Sequence, residues 1–99
     1  MQGSAAPLRG LARDLLFLRT PSLWPTWPFL ALVRRRPGQD MEFGVLYDFA
    51  NTSGRTGYGS TVFLTNLFEL PDTEGEFVQQ AREVFDTAEE IVAAGWRVD

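Results

Sequence analysis

Apolar and polar residues alternate along residues 41–49, MEFGVLYDF, in an aromatic and β-branched run with a turn signal before it and a glycine-rich stretch after it. Period-two alternation of this kind predicts a strand. Phe43, Val45, Tyr47 and Phe49 share one face, the expected core face. Glu42, Gly44, Leu46 and Asp48 share the other, where Gly44 leaves a gap that a large cross-strand side chain such as Trp could fill. Residues 29–35 predict a strand before it, joined through residues 36–40, where Pro37-Gly38 signals a type II turn. Residues 61–70, TVFLTNLFEL, predict a third strand with large apolar groups on both faces, hence covered on both sides. The expected sheet is a three-stranded antiparallel meander with residues 41–49 in the middle.

The flanks change period. Leu8, Leu11, Leu15 and Leu18 recur three and four apart behind Pro7, a stripe that predicts a helix ending at Thr20-Pro21. Arg9 and Arg13 line up on its other side, and residues 1–6 are expected to fray, leaving residues 7–99 as a single domain. Thr73-Glu74-Gly75-Glu76 has capping-box spacing, and Phe77, Ala81, Val84, Ala88 and Ile91 keep helical periodicity behind it. A second N-cap signal at Asp86-Thr87 predicts a break near Phe85 and two helices rather than one. Gly95 suits a left-handed helix end, after which Trp96 and Val98 face inward from a short terminal strand. The fold class is therefore α+β: an N-terminal helix, the meander, and a C-terminal helical segment packed on the sheet.

Residues 21–28, PSLWPTWP, set Trp24 and Trp27 each directly before a proline. That biases both to extended geometry and predicts a stiff connector that either lids the core or presents its indoles to a partner. Residues 51–60, NTSGRTGYGS, predict a loop of unusual length between strands.

Composition narrows the chemistry. The 99 residues include neither Cys nor His, and all nine basic residues are Arg. Disulfides, thiol nucleophiles, histidine bases and the commonest metal ligands are thereby removed. Ser60 and Thr61 have no histidine to activate them. The glycines of residues 54–60 fit neither phosphate-binding spacing, and a strand rather than a helix follows them. Glu42, Asp48, Glu69 and Asp72 carry no spacing that marks an acid/base pair. No enzyme activity, cofactor or metal site is expected. No apolar run is long enough to span a bilayer, a signal peptide is not supported because Arg13 and Asp14 interrupt the apolar run, and a cytoplasmic location is expected.

The net charge of −4 conceals a division. Residues 1–39 carry six Arg against one Asp (+5), and residues 40–99 carry three Arg against twelve acids (−9). Either the basic part lies on the acidic part within one fold, or it is kept free for a partner. The function expected is that of a protein-interaction or self-associating module, with a homodimer as one form. Its candidate contact residues are Trp24, Trp27, Arg34, Arg35 and Arg36, with Arg55 and Tyr58 in the polar loop. The alternative is a binder of nucleic acid or anionic lipid through the same Arg/Trp region, against which the pI of about 4.7 counts.

The segments FLRTPSLWPTWPFL, GVLYDF, TVFLTNLF, VFDTAEE and AAGWRVD resemble short uncharacterised bacterial proteins of GC-rich genomes. The resemblance spans most of residues 15–99 and implies no activity, ligand or site residue.

Overall fold

The computed structural model describes residues 2–99 except Thr56, with side chains from Gly10 onward. The expected fraying at Met1 and the faces assigned to Leu8 and Arg9 lie outside the described residues. The elements run α1 (Gln2–Arg19), a 3₁₀ turn (Pro21–Leu23), β1 (Phe29–Arg34), β2 (Glu42–Tyr47), α2 (Phe49–Thr52), β3 (Thr61–Phe63), α3 (Glu74–Phe77), β4 (Arg82–Val84), α4 (Ala88–Ala93) and β5 (Trp96–Val98). The sheet has five strands in the order β4-β3-β2-β1-β5, all antiparallel, with β2 central as expected.

Register assigns the faces. Leu30, Leu32 and Arg34 stand beside Leu46, Gly44 and Glu42 of β2, and Leu32 and Arg34 stand beside Val98 and Trp96 of β5. This face carries the larger core, where Leu30, Leu32, Leu46, Val62 and Trp96 meet Leu18 of α1, Trp24 and Ile91 of α4. The opposite face carries Val45, Phe63, Phe49 and Phe77, with Phe29 and Tyr47 packed alongside. Both faces of β2 are therefore core, whereas alternation predicted one. Its outlier is Phe43, 46% exposed beyond the edge of the second core.

Gly44 is filled as expected: a Cβ there would lie 3.0 Å from the Trp96 ring and 2.5 Å from Val62 Cγ1. Any side chain at 44 would have to push back Val62 and the Trp96 ring. Gly95 has φ +99°, and Arg34 Cδ lies 3.2 Å from where its Cβ would be, so the turn into β5 has both a conformational and a steric reason for glycine.

Five expectations are corrected. The third strand is not residues 61–70 but only Thr61–Phe63. Beyond Phe63 the side chain of Asn66 imitates a backbone turn: its Oδ1 accepts from Phe68 N (2.9 Å) and its carbonyl from Glu69 N (3.1 Å). Leu67 and Leu70 drop into the second core and Phe68 is thrown outward. Next, the C-terminal segment is not simply helical, because Arg82–Val84 pairs with β3 as a fourth strand between two short helices. Both helices begin where the sequence signals them. Thr73 Oγ1 accepts from Glu76 N (3.1 Å) and Thr87 Oγ1 from Glu90 N (3.2 Å). Finally, residues 21–28 are not a straight connector: Trp24 has the extended backbone expected before a proline (φ −69°, ψ 124°), but the segment folds through successive turns, with Trp24 N donating to Pro21 O (3.0 Å), Trp27 N to Trp24 O (3.2 Å) and Phe29 N to Thr26 O (2.9 Å). In addition, α1 starts at Gln2 rather than Pro7, and α2 occupies the first residues of the expected 51–60 loop.

The charge division resolves largely within the fold. Arg19 pairs with Glu89, Arg34 with Glu42 and Glu83, and Arg36 with Glu42, so each pair joins the basic part to the acidic part. No helix among the described residues is long and apolar enough to cross a membrane.

Candidate functional site

A cleft of about 630 Å³ lies between the end of α1, the start of α4 and the 50–60 loop. Leu18, Trp24, Phe49 and Tyr58 give it apolar and aromatic walls. The Tyr58 ring lies on Phe49, with centroids 4.6 Å apart and planes 30° from parallel. Arg19 and Glu89 line the cleft and pair with each other, and Arg55 lines it with its Nε 2.8 Å from Glu74 Oε1.

Asp48 is the polar group at the cleft that is most thoroughly fixed. It follows β2 directly, is 6% exposed, and is pinned at both ends of its backbone: its N–H donates to Pro28 O (2.9 Å) and its carbonyl accepts from Thr52 Oγ1 (2.7 Å). One carboxylate oxygen, Oδ2, accepts from Trp27 Nε1 and Asn51 Nδ2, each at 2.9 Å. Of the four acids singled out in the sequence, Asp48 alone lines the cleft. Glu42 is turned instead to Arg34, and Glu69 accepts from Asn66 Nδ2 (3.1 Å).

The residues expected to form one contact surface are dispersed. Trp24 is 7% exposed and donates from Nε1 to Phe17 O (2.6 Å), so it is core and lids the α1 end. Trp27 is 50% exposed and tied to Asp48. Arg34 is 2% exposed; its guanidinium donates to Glu42 from Nε (3.1 Å) and Nη2 (2.9 Å), and to Glu83 from Nη1 (2.8 Å) and Nη2 (2.6 Å). It also lies 4.2 Å from the Trp96 ring centroid. Arg35 and Arg36 are exposed, and Arg36 Nε is 3.3 Å from Glu42 Oε1. Trp24, Arg55 and Tyr58 do come together, on the cleft.

The Arg34 guanidinium holds the carboxyl groups of Glu42 and Glu83 below the ordinary range, through its hydrogen bonds first; desolvation opposes the effect and the guanidinium charge adds to it. Its own proton is held more tightly in return. The arrangement is a satisfied ionic cluster in which Trp96 Nε1 also donates to Glu83 (3.2 Å). It offers no unengaged acid or base for catalysis.

A second surface escaped the sequence. Phe68 is 97% exposed, and with Phe43, Ala31 and Leu67 it borders a groove of about 150 Å³ on the sheet face away from α1, which Asn66 and Asp99 also line. The signal that could have found it was Asn66, a turn-forming residue inside a run that otherwise alternates as a strand.

These features define a small α+β domain with a five-stranded antiparallel sheet, a mixed cleft and a groove of largely apolar walls. Comparison of the chain with protein-family models, with curated proteins and with solved structures finds no match.

Proposed function

We propose that this protein is a non-enzymatic association module and that its partner is a second copy of the same chain. The observation that carries the reading is Phe68, a fully solvated aromatic ring held outward by the Asn66 turn rather than left on a floppy tether. Large exposed aromatics beside an apolar recess are the usual anchors of protein contacts. Phe68 stands at the rim of a groove that Phe43, Ala31 and Leu67 line, so one patch holds both the knob and the recess. A two-fold axis between two such patches places each Phe68 in the other copy's groove, the self-complementary arrangement of isologous dimers.

The nucleic-acid alternative loses support from the same geometry. Arg34 is buried, and Arg19 and Arg36 are engaged by Glu89 and Glu42, which removes three of the six arginines of the basic segment from a ready phosphate-facing surface.

Light scattering over a dilution series tests the proposal. The mass is expected to fall from twice the chain toward one chain on dilution, and Phe68→Ser to shift that equilibrium by about thirtyfold, ~2 kcal/mol, toward monomer. Its thermal midpoint measured as a monomer should stay within about 2 °C of the unaltered monomer's, because the ring touches little of its own chain. A mass of one chain at every concentration overturns the reading.

A further inference from the structure

The carboxylate of Asp48 is only half used. Oδ2 takes two donors, Trp27 Nε1 and Asn51 Nδ2, while among the described residues nothing donates to Oδ1. No buried side-chain oxygen or nitrogen among the described residues lacks a partner, so Oδ1 is not sealed in the protein and is reached from the spaces that Asp48 lines. Asp48 and Asn51 also line the adjoining recess beside Ser22 and Trp27, which places the carboxylate where the two spaces meet.

Arg19 and Arg55 line the cleft against Asp48 and Glu89, so its charges balance in number and differ in how they are paired. Arg19 is engaged by Glu89 and Arg55 by Glu74, which leaves the Asp48 carboxylate without a counter-ion among the described residues. A carboxylate that is 6% exposed and held by its backbone and one oxygen is already desolvated and oriented, so a cation arriving at Oδ1 meets a site with little left to order. Aromatic walls from Trp24, Phe49 and Tyr58 favour a ligand that is cationic at one end and apolar behind it. The volume suits a small molecule.

We propose that the cleft binds a small organic monocation, an ammonium or amidinium group on an apolar body, with Asp48 Oδ1 accepting its N–H and Tyr58 covering its body. The site is separate from the Phe68 groove and does not depend on self-association.

The indole of Trp27 is a built-in reporter, because its N–H shares the Asp48 carboxylate with the incoming cation. Titrating ¹⁵N-labelled protein with benzamidine is expected to move the Trp27 indole resonance along a saturating curve. The Trp96 indole, bound to Glu83, should stay in place. Benzamide, the neutral isostere, and benzoate, the anion, should each bind at least about tenfold more weakly than benzamidine. Asp48→Asn keeps an oxygen for Trp27 and Asn51 but turns an amide toward the cleft, and is expected to weaken benzamidine by at least about tenfold. Should that variant lose its dispersed spectrum, the amidine-to-amide ratio on the unaltered protein decides the matter. Equal shifts from benzamide and benzamidine, or no saturating shift from benzamidine, overturn the proposal.

Discussion

Trp96→Ala is expected to cost about 3–5 kcal/mol, close to half the stability of a domain this size. The residue is fully buried, fills the space above Gly44, stacks against Arg34 and hydrogen-bonds Glu83, so its removal opens a cavity and loosens an ionic cluster together. Urea denaturation followed by far-UV circular dichroism measures the loss. A companion test isolates the packing. Gly44→Ala should cost about 1–3 kcal/mol because its methyl meets Val62 and the Trp96 ring. Adding Trp96→Phe should cost less on top of Gly44→Ala than it does in the unaltered chain, since a smaller ring relieves the clash. Additive losses would show that the ring and the glycine are not packed as described.

Arg34→Met is expected to cost about 2–4 kcal/mol. Breaking a buried pair typically costs more, but Glu42 and Glu83 remain 31% and 30% exposed at their side chains and can be rehydrated in part. The apolar stem of Met still covers Trp96. The triple variant Arg34→Met, Glu42→Gln, Glu83→Gln should recover part of the loss, because neither carboxylate that faced Arg34 is then left charged; the half-exposed Arg36 gives up only its surface pair with Glu42. The pH dependence has a definite sign. Arg34 lowers the folded-state pKa of both glutamates, so the unfolded chain binds protons more readily than the folded one. Their stabilising contribution is complete above the unfolded glutamate value of about 4.3 and is lost as pH falls through the depressed folded values. Acid titration of the thermal midpoint should therefore be flatter between about pH 5 and pH 3 in the triple variant than in the unaltered chain. Equal slopes would deny the glutamates this role.

Local chemistry made much of this fold legible before any coordinates. The caps at Thr73 and Thr87, the Pro37-Gly38 turn, the Gly95 helix end and the terminal strand all depend on residues within a few positions of one another, and all form where their side chains dictate. The fourth strand did not show itself. Arg82-Glu83-Val84 lies inside a helical hydrophobic period, and what makes it extended is pairing with β3 some twenty residues earlier, together with Arg34 waiting for Glu83 across the sheet. Non-local pairing overrides propensity in so short a segment. Residues 64–70 misled for the converse reason, since their alternation imitates a strand while Asn66 bends the backbone away from the sheet.

The candidate sites divide in the same way. Arg55 and Tyr58 were marked by the long polar loop, and they do line the cleft. The Arg/Trp cluster is close in sequence, which in a strand says little about a shared face: Arg34 points into the larger core while Arg35 and Arg36 lie outside it. Asp48 had no local signal for its special position. Its constraints come from Pro28, Trp27 and Asn51, which the hairpin and α2 bring to it.

Asp14 of α1 is buried, and its Oδ2 accepts from Val98 N (3.4 Å) on the outer side of β5. That amide would otherwise be one of the free donors along the margin of the sheet. The first helix thus blunts the β5 edge of the sheet, one of its two, against pairing with another strand. Conditions that peel it off while the strands persist should convert the protein into thioflavin-positive fibrils sooner than into soluble coil, because they bare a ready template for strand addition.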